Sequence, residues 1–224
     1  MNGCAAQQSD IHQLNYTNKD LVDISIRNSD RLTTLVSDIL DMARIASGRF
    51  ALESKPVNAM QTLIDTLELN TPYCKKCNVQ TKISTTTGKD LSIHADEKRI
   101  QQVLGNLISN ASKFTHQGDT LELLLSEDSA HHQAVFSITD HGPGIPAEEI
   151  PNLFNRFHQI AENNNNKVAG TGLGLNICKQ IVELHGGGLW VESEPNVKTT
   201  FSFSIPLADG TLLSFSSDYR KQSN

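Results

Sequence analysis

No apolar run in this sequence approaches the roughly 20 residues that a membrane-spanning helix requires, so no membrane contact is expected. The opening MNGCAAQQSD lacks the basic region and apolar core of a signal peptide, and residues 1–16 read as a flexible leader. No dense Lys/Arg cluster occurs and the net charge is −6, so a nucleic-acid surface is not indicated. Cysteines number only four, at 4, 74, 77 and 178. The CKKC at 74–77 has the spacing of half a zinc site, yet no second CxxC or HxxxH pair follows at suitable distance. Redox pairs of this spacing usually open a helix after a strand, whereas this one follows a helical pattern. The cysteines fit a reducing cytoplasm, and the sequence gives them no role. Two phosphate fingerprints are missing as well. No glycine run ends in the GK[ST] of a Walker A loop, and no strand–glycine–helix unit matches a dinucleotide fold.

What remains is a chain of 224 residues with 38% hydrophobic and 20% charged content, long enough to bury a core. From 17 to 48 the pattern is helical. Leu32, Leu35, Ile39 and Met42 recur at steps of three and four, Val36 and Ala43 widen the stripe, and Gly48 supplies a stop. One long helix with one apolar stripe and heptad-like spacing calls for a bundle partner. Residues 49–58 read as a linker or edge strand. Helices are expected at 59–72 (ended by Pro72), 96–114 and 173–185. Strands are expected at 78–84, 91–93, 120–126, 134–139, 188–194 and 199–206. This order predicts an α+β fold, a two-layer sandwich over 59–208 whose mixed sheet is covered by helices on one face, with a Ser-rich tail or linker at 209–224.

Three stretches carry candidate chemistry. In TDHGPGIP, Asp140 follows a strand directly, and Gly142 and Gly144 let the backbone turn and approach a ligand. In AGTGLGL, Gly170, Gly172 and Gly174 open a helix, where free N–H groups and the helix dipole favour an anion; alone, such glycines more often mark a turn or tight packing. In RIQQVLGNLISNASKFT, Asn106, Asn110 and Lys113 fall at i, i+4 and i+7 on one helical face, opposite the apolar residues. Amide oxygens beside an ammonium suit a Mg²⁺–polyphosphate group better than a solvated face, for which mid-helix asparagines are poor formers.

Together these stretches resemble the ATP-binding catalytic domain of two-component sensor histidine kinases, in the superfamily shared with DNA gyrase, the ninety-kilodalton heat-shock chaperone and MutL. NLISNASKFT resembles the family's N box, DHGPGI its first glycine box, LFNRF its F box and GTGLGL its second glycine box, in the family's order and spacing. NSDRLTTLVSDILDMARIASGRF resembles the second helix of the kinase's dimerisation bundle. The resemblance runs from about residue 20 to 207. It implies that Asp140 accepts a hydrogen bond from the adenine amino group, with Gly142 and Gly144 shaping that pocket. Asn110 would coordinate Mg²⁺, Asn106 would sit beside the triphosphate, and Lys113 would contact phosphate. Gly170, Thr171, Gly172 and Gly174, with the N–H groups of Leu173 and Leu175, would hold the phosphates. Residues 154–169 would form a polar, mobile lid hinged at Phe154 and Phe157. Thr200 would reach the adenine side, although NVKTTF lacks the glycines that commonly precede this threonine pair.

The family's phosphoryl acceptor is a histidine followed by an acidic residue and an Arg-Thr-Pro-like run. None of the eight histidines, at 12, 94, 116, 131, 132, 141, 158 and 185, has that context. His12 is followed by Gln-Leu-Asn-Tyr and lies where the interhelical connection is expected. The expectation is therefore the second bundle helix plus catalytic domain of a histidine protein kinase, using ATP and Mg²⁺ on a histidine absent from this chain. Its implied partners are the first bundle helix of the same kinase or a second protomer, a homodimer partner in the parent protein, and a response-regulator receiver domain. The expected setting is the cytoplasm, either free or as the cytoplasmic part of a membrane-anchored parent. An ATP-binding module without transfer, or a protein-serine kinase relative, is the competing expectation.

Overall fold

A computed structural model describes residues 18–88, 90–160 and 171–208. The expected leader at 1–16 with His12, the tail at 209–224, Gly170 and the larger part of the expected lid lie outside the described residues. The chain divides into two compact units between Leu40 and Asp41. No helix of the described residues is long and apolar enough to cross a membrane.

The first unit is carried by helix α1 (Asn18–Ala46), whose last turn belongs to the second unit. Leu32, Val36 and Ile39 of the expected stripe are about half exposed or more, as are Leu21, Val22 and Ile26 upstream. The helix stops where expected. Gly48 takes φ +66°, and Gly48 N–H and Arg49 N–H cap the carbonyls of Ile45 and Arg44.

The second unit is the expected two-layer sandwich. Strands β2 (Gln80–Thr85), β4 (Thr120–Asp128), β5 (Gln133–Asp140), β7 (Lys198–Pro206) and β6 (Leu189–Glu194) form one sheet in the order β2-β4-β5-β7-β6. Only β2 and β4 run parallel. The short strands β1 (Lys55–Asn58) and β3 (Ser92–Ala95) pair separately, so the edge-strand alternative for 49–58 holds at its end. Helices α2 (Ala59–Lys76), α3 (Glu97–Phe114) and α4 (Gly174–Leu184) close the core. Period two on the strands and period 3.6 on α3 decide this packing. Leu121, Leu123, Leu125, Phe136, Ile138, Phe203 and Ile205 meet Ile100, Val103, Leu104, Leu107 and Ile108, all essentially inaccessible. The Phe136 and Phe203 rings stack at 4.8 Å.

Pro72 does not end α2, contrary to expectation. The helix runs one more turn, to Lys76, with Cys77 as its C-cap. Pro72 is solvent-exposed, and side-chain bonds reinforce the ladder around it: Asn70 donates to the Thr66 carbonyl and Thr71 to that of Leu67. The stop comes at Asn78, which takes φ +56° while Val79 N–H bonds the Cys74 carbonyl.

Two side-chain clusters fix α3. Asp96 caps it by accepting from Arg99 N–H, and also accepts from Glu53 N–H. Within the second unit, buried Asp41 receives Arg99 Nη1 at 2.9 Å and Gln102 Nε2 at 3.0 Å, and the Arg99 guanidinium lies over the Phe50 ring. At the far end of α4, the Asp96 N–H donates to His185 Nε2 at 3.0 Å, so Nδ1 carries the proton given to the Ile181 carbonyl. Burial leaves His185 below its ordinary value of 6.5, with His94 acting the same way and the Ile181 carbonyl and Asp96 pulling against it. A depressed imidazole means that the unfolded chain binds more protons, so the stability His185 contributes is present above the unfolded value and is lost as pH falls below about 6.5. The stability gap between wild type and His185→Gln in urea unfolding should therefore shrink between about pH 7.5 and pH 5.5. A gap that widens on acidification would contradict this hydrogen-bond assignment.

Candidate functional site

Three elements converge: the middle and end of α3, the end of β5, and the start of α4. Asp140, the last residue of β5, is 3% exposed and accepts the Gly142 N–H at 3.0 Å. Burial raises its carboxyl from 3.8 to about 6, against the opposing pull of the Gly142 N–H, His141 and His116. A carboxylate buried this deeply is costly to stability, and such groups mark sites built for a ligand.

Gly142 lies directly against the end of α3. A Cβ there would overlap the Phe114 carbonyl oxygen and come within 2.8 Å of the Asp140 carboxylate. Gly144 takes φ +72°, and a Cβ would stand 2.6 Å from the Glu194 carbonyl. These two glycines therefore press the Asp140 loop onto α3 on one side and onto the β6–β7 turn on the other. The Asn196 N–H reaches the Pro143 carbonyl from that same turn.

Asn106, Asn110 and Lys113 lie half-buried along α3, away from its sealed apolar face. Gly174 begins α4 beside them, and a Cβ on it would meet the Asn106 amide at 3.8 Å. Asn106 Nδ2 also lies 3.6 Å from Cys178 Sγ, one turn further along α4. The asparagine and the second glycine stretch, 68 positions apart in the sequence (174 − 106), thus share one surface.

Gly172 takes φ +69° and packs against the Phe157 backbone, whose N–H donates to the Gly172 carbonyl at 2.8 Å. Asn176 donates to the Phe154 carbonyl, and His158 pairs with Glu149 at 2.9 Å. Phe154 and Phe157, at the start of the expected lid segment, are therefore tied to the residues that open α4. Residues 161–169 lie outside the described residues, as does Gly170.

Leu173 and Thr200 already have partners within the protein. The Leu173 N–H already donates to Thr171 Oγ1 at 3.1 Å, and Leu173 serves as the N-cap of α4 with its side chain fully buried. The donors that helix geometry leaves open belong instead to the first turn, Gly174–Asn176, which retains Leu175. Residues directly opposite in adjacent strands share a face, and the register sets Asp140 opposite Thr199 and Thr139 opposite Thr200. Thr200 Oγ1 bonds Thr139 Oγ1 at 2.9 Å on the face away from Asp140. Thr199, 3% exposed and bonded to Ser193, occupies the position beside the carboxylate. Strand parity could have found it, because Phe201, Phe203 and Ile205 point inward and Thr199 is in phase with them.

Residues 95–209 match the family described as histidine kinase-, DNA gyrase B- and HSP90-like ATPase. The chain belongs to this family. Within it, this ATPase domain is of the sensor histidine kinase type. It is 34% identical over 180 residues to the circadian input-output histidine kinase CikA of Synechococcus elongatus, covering 80% of this chain and 24% of that protein. It is 30% identical over 198 residues to the sensor histidine kinase WalK of Bacillus subtilis, covering 85% of this chain and 32% of that one. The chain thus spans a third or less of these relatives. Among solved structures, the catalytic domain of histidine kinase ThkA superposes with a TM-score of 0.58 at 31% identity over 69% of this chain and 95% of that chain. Full-length ShkA in complex with AMPPNP superposes with a TM-score of 0.73 at 28% identity over 87% of this chain and 40% of its own. The histidine kinase-type domain is therefore an ATP-binding catalytic domain, and its mixed five-stranded sheet is that of its relatives.

Proposed function

We propose that this chain is the ATP-binding catalytic portion of a sensor histidine kinase and transfers the γ-phosphoryl of ATP to a histidine on a segment other than those present here. The observation that carries the reading is the convergence of Asp140 and Gly142 with Asn106 and Gly174 around one face of α3. Asp140 reads the adenine amino group, with Thr199 beside it in place of Thr200. The first turn of α4 and Lys113 receive phosphate oxygens. Phosphoryl transfer depends on positioning and charge neutralisation more than on covalent help, which suits a site of amides, one ammonium and oriented N–H groups.

Mg²⁺ fits this donor set as an ion that arrives with the polyphosphate. Among the described residues no group of three His, Cys, Asp or Glu side chains forms a metal cage, whereas the Asn110 amide oxygen offers the single hard ligand that a phosphate-bound Mg²⁺ needs. Its role there is to neutralise phosphate charge. The exposed apolar row of α1 supports association with another bundle helix or with a second copy of this chain. A receiver-domain partner in the cytoplasm is proposed from the solved complex of histidine kinase ThkA with the response regulator TrrA, which superposes with a TM-score of 0.65 at 27% identity.

Asn110→Asp tests the site. A carboxylate beside the phosphates adds roughly 2–3 kcal/mol of repulsion, or about 30-fold or more in ATP affinity. Calorimetry with Mg²⁺ should show that loss, and undiminished binding would place the nucleotide elsewhere.

A further inference from the structure

The CKKC at 74–77 lies outside the residues proposed for the nucleotide, and the fold gives it a defined setting. Cys74 lies in the last turn of α2 and is 1% exposed, while Cys77 is the C-cap, half-buried, with φ −79° and ψ −3°. Residues 74–77 thus form one helical turn, which sets the two Cα atoms about 5 Å apart, inside the span that a disulfide bridges. Both thiols are free.

Cys74 is bonded to α3 directly, its Sγ lying 3.3 Å from Ser112 Oγ. Cys77 lies beside the Tyr73 hydroxyl, which also neighbours Ser109 of α3. Burial, then the nearby Cys77, raises the Tyr73 hydroxyl above its ordinary value, so it keeps its proton between the two helices. One turn back along this contact, Asn70 lies against Gly105, where a Cβ would meet its amide at 3.6 Å. Ser109 and Ser112 are next to Asn110 and Lys113 in the chain, so α2 grips the flank of the helix that carries the phosphate side chains. Exposed Lys75 and Lys76 give Cys77 a basic surround suited to an anionic thiol reagent.

We propose that Cys74 and Cys77 form a reversible dithiol–disulfide pair whose co-reactant is a low-molecular-weight disulfide of the glutathione type, and that its closure weakens ATP binding; this second part rests on the nucleotide site proposed above. Deprotonated Cys77, the more accessible sulfur, attacks one sulfur of the reagent. A mixed disulfide forms and one glutathione thiolate leaves. Cys74 then gives up its proton and attacks the Cys77 sulfur, expelling the second glutathione thiolate. Two protein thiols are oxidised, one disulfide is reduced to two thiols, and both protons go to solvent or the leaving thiolates. Closure turns Cys74 away from Ser112 and removes the Cys77 thiol from Tyr73, releasing α2 from the flank of α3.

The test is to treat the reduced full chain with glutathione disulfide, measure its intact mass, map the linkage, and titrate ATP with Mg²⁺ before and after. The expected product has lost two hydrogens and holds no glutathione, with the link at 74–77. Its ATP dissociation constant rises by about fivefold or more and returns on reduction. Cys74→Ser should retain glutathione on Cys77. Persistent glutathione on wild-type Cys77, or a link involving Cys4 or Cys178, would overturn the pair. A mapped 74–77 disulfide with unchanged ATP affinity would overturn its coupling to the site. Reduced chain that fails to bind ATP would refute the nucleotide reading and that coupling together, while the linkage map still decides the pair.

Discussion

Asp140→Asn should abolish most ATP binding and at the same time stabilise the protein at neutral pH. The carboxylate has two oxygens, one taken by the Gly142 N–H and the other open to the adenine amino group. An amide has one oxygen. Keeping the Gly142 bond turns an NH₂ donor toward the adenine NH₂ donor, so an attraction becomes a repulsion. Losing a charge-assisted bond alone costs about 1.5–3 kcal/mol, and with the repulsion the expected loss is roughly 100-fold in affinity.

The stability change runs the other way. Folding raises the Asp140 carboxyl from 3.8 to about 6. Between those values the folded state holds a proton that the unfolded chain has released, so stability falls as pH rises through this window. Above it the full cost of the buried charge is present, up to about 3 kcal/mol at roughly 1.4 kcal/mol per pH unit. The neutral amide avoids that cost. Melting curves of the two proteins should therefore nearly coincide near pH 3.5 and separate by pH 7, with the variant higher. This slope is opposite in sign to that of His185, so only the difference between variant and wild type isolates it. Equal pH dependence of the two proteins would show that Asp140 is not held as a strained acid.

Gly142→Ala and Gly174→Ala should differ sharply, although both glycines sit in the glycine boxes. At Gly142 the new Cβ meets a backbone carbonyl and the Asp140 carboxylate, and neither can retreat without parting β5 from α3. Overpacking against backbone costs about 1–3 kcal/mol or more, and the displacement carries Asp140 with it, so ATP affinity falls while Asp140 itself is intact. At Gly174 the Cβ meets only the Asn106 amide at ordinary contact distance, and alanine is the better helix former. That variant should unfold within about 0.5 kcal/mol of wild type. Chemical denaturation of both decides it. Equal destabilisation would mean that the Asp140 loop does not press on α3 as described.

The contrast between these glycines shows what sequence reasoning reaches. Spacing alone placed Asn106, Asn110 and Lys113 on one face of α3, because helical period is a property of the chain itself. The pairing of that face with Gly174 is a long-range contact, invisible to periodicity and supplied in advance only by the family resemblance. Pro72 misled because its effect depends on whether its ring faces solvent, which the local pattern does not state. Thr200 misled for a different reason. Two adjacent threonines point to opposite faces of a strand, and only the phase set by Phe201 and Phe203 selects Thr199. The Leu173 N–H donates to the Thr171 hydroxyl, a local bond that no spacing rule announces. Strand and helix types were legible nearly throughout the second unit, since its core depends on plain alternation in β4, β5 and β7 and on one strongly amphipathic helix, α3.

The transfer proposed for this site carries the γ-phosphoryl group of ATP to a histidine on another segment. Terminally labelled ATP with Mg²⁺, offered to this chain together with a polypeptide carrying a histidine-bearing first bundle helix, tests it most directly. Label is expected on that polypeptide as acid-labile, base-stable phosphate, lost when Asp140→Asn replaces the wild-type chain. Label on His12 of this chain, acid-stable label on serine, or firm ATP binding with no transfer to the supplied helix would contradict it.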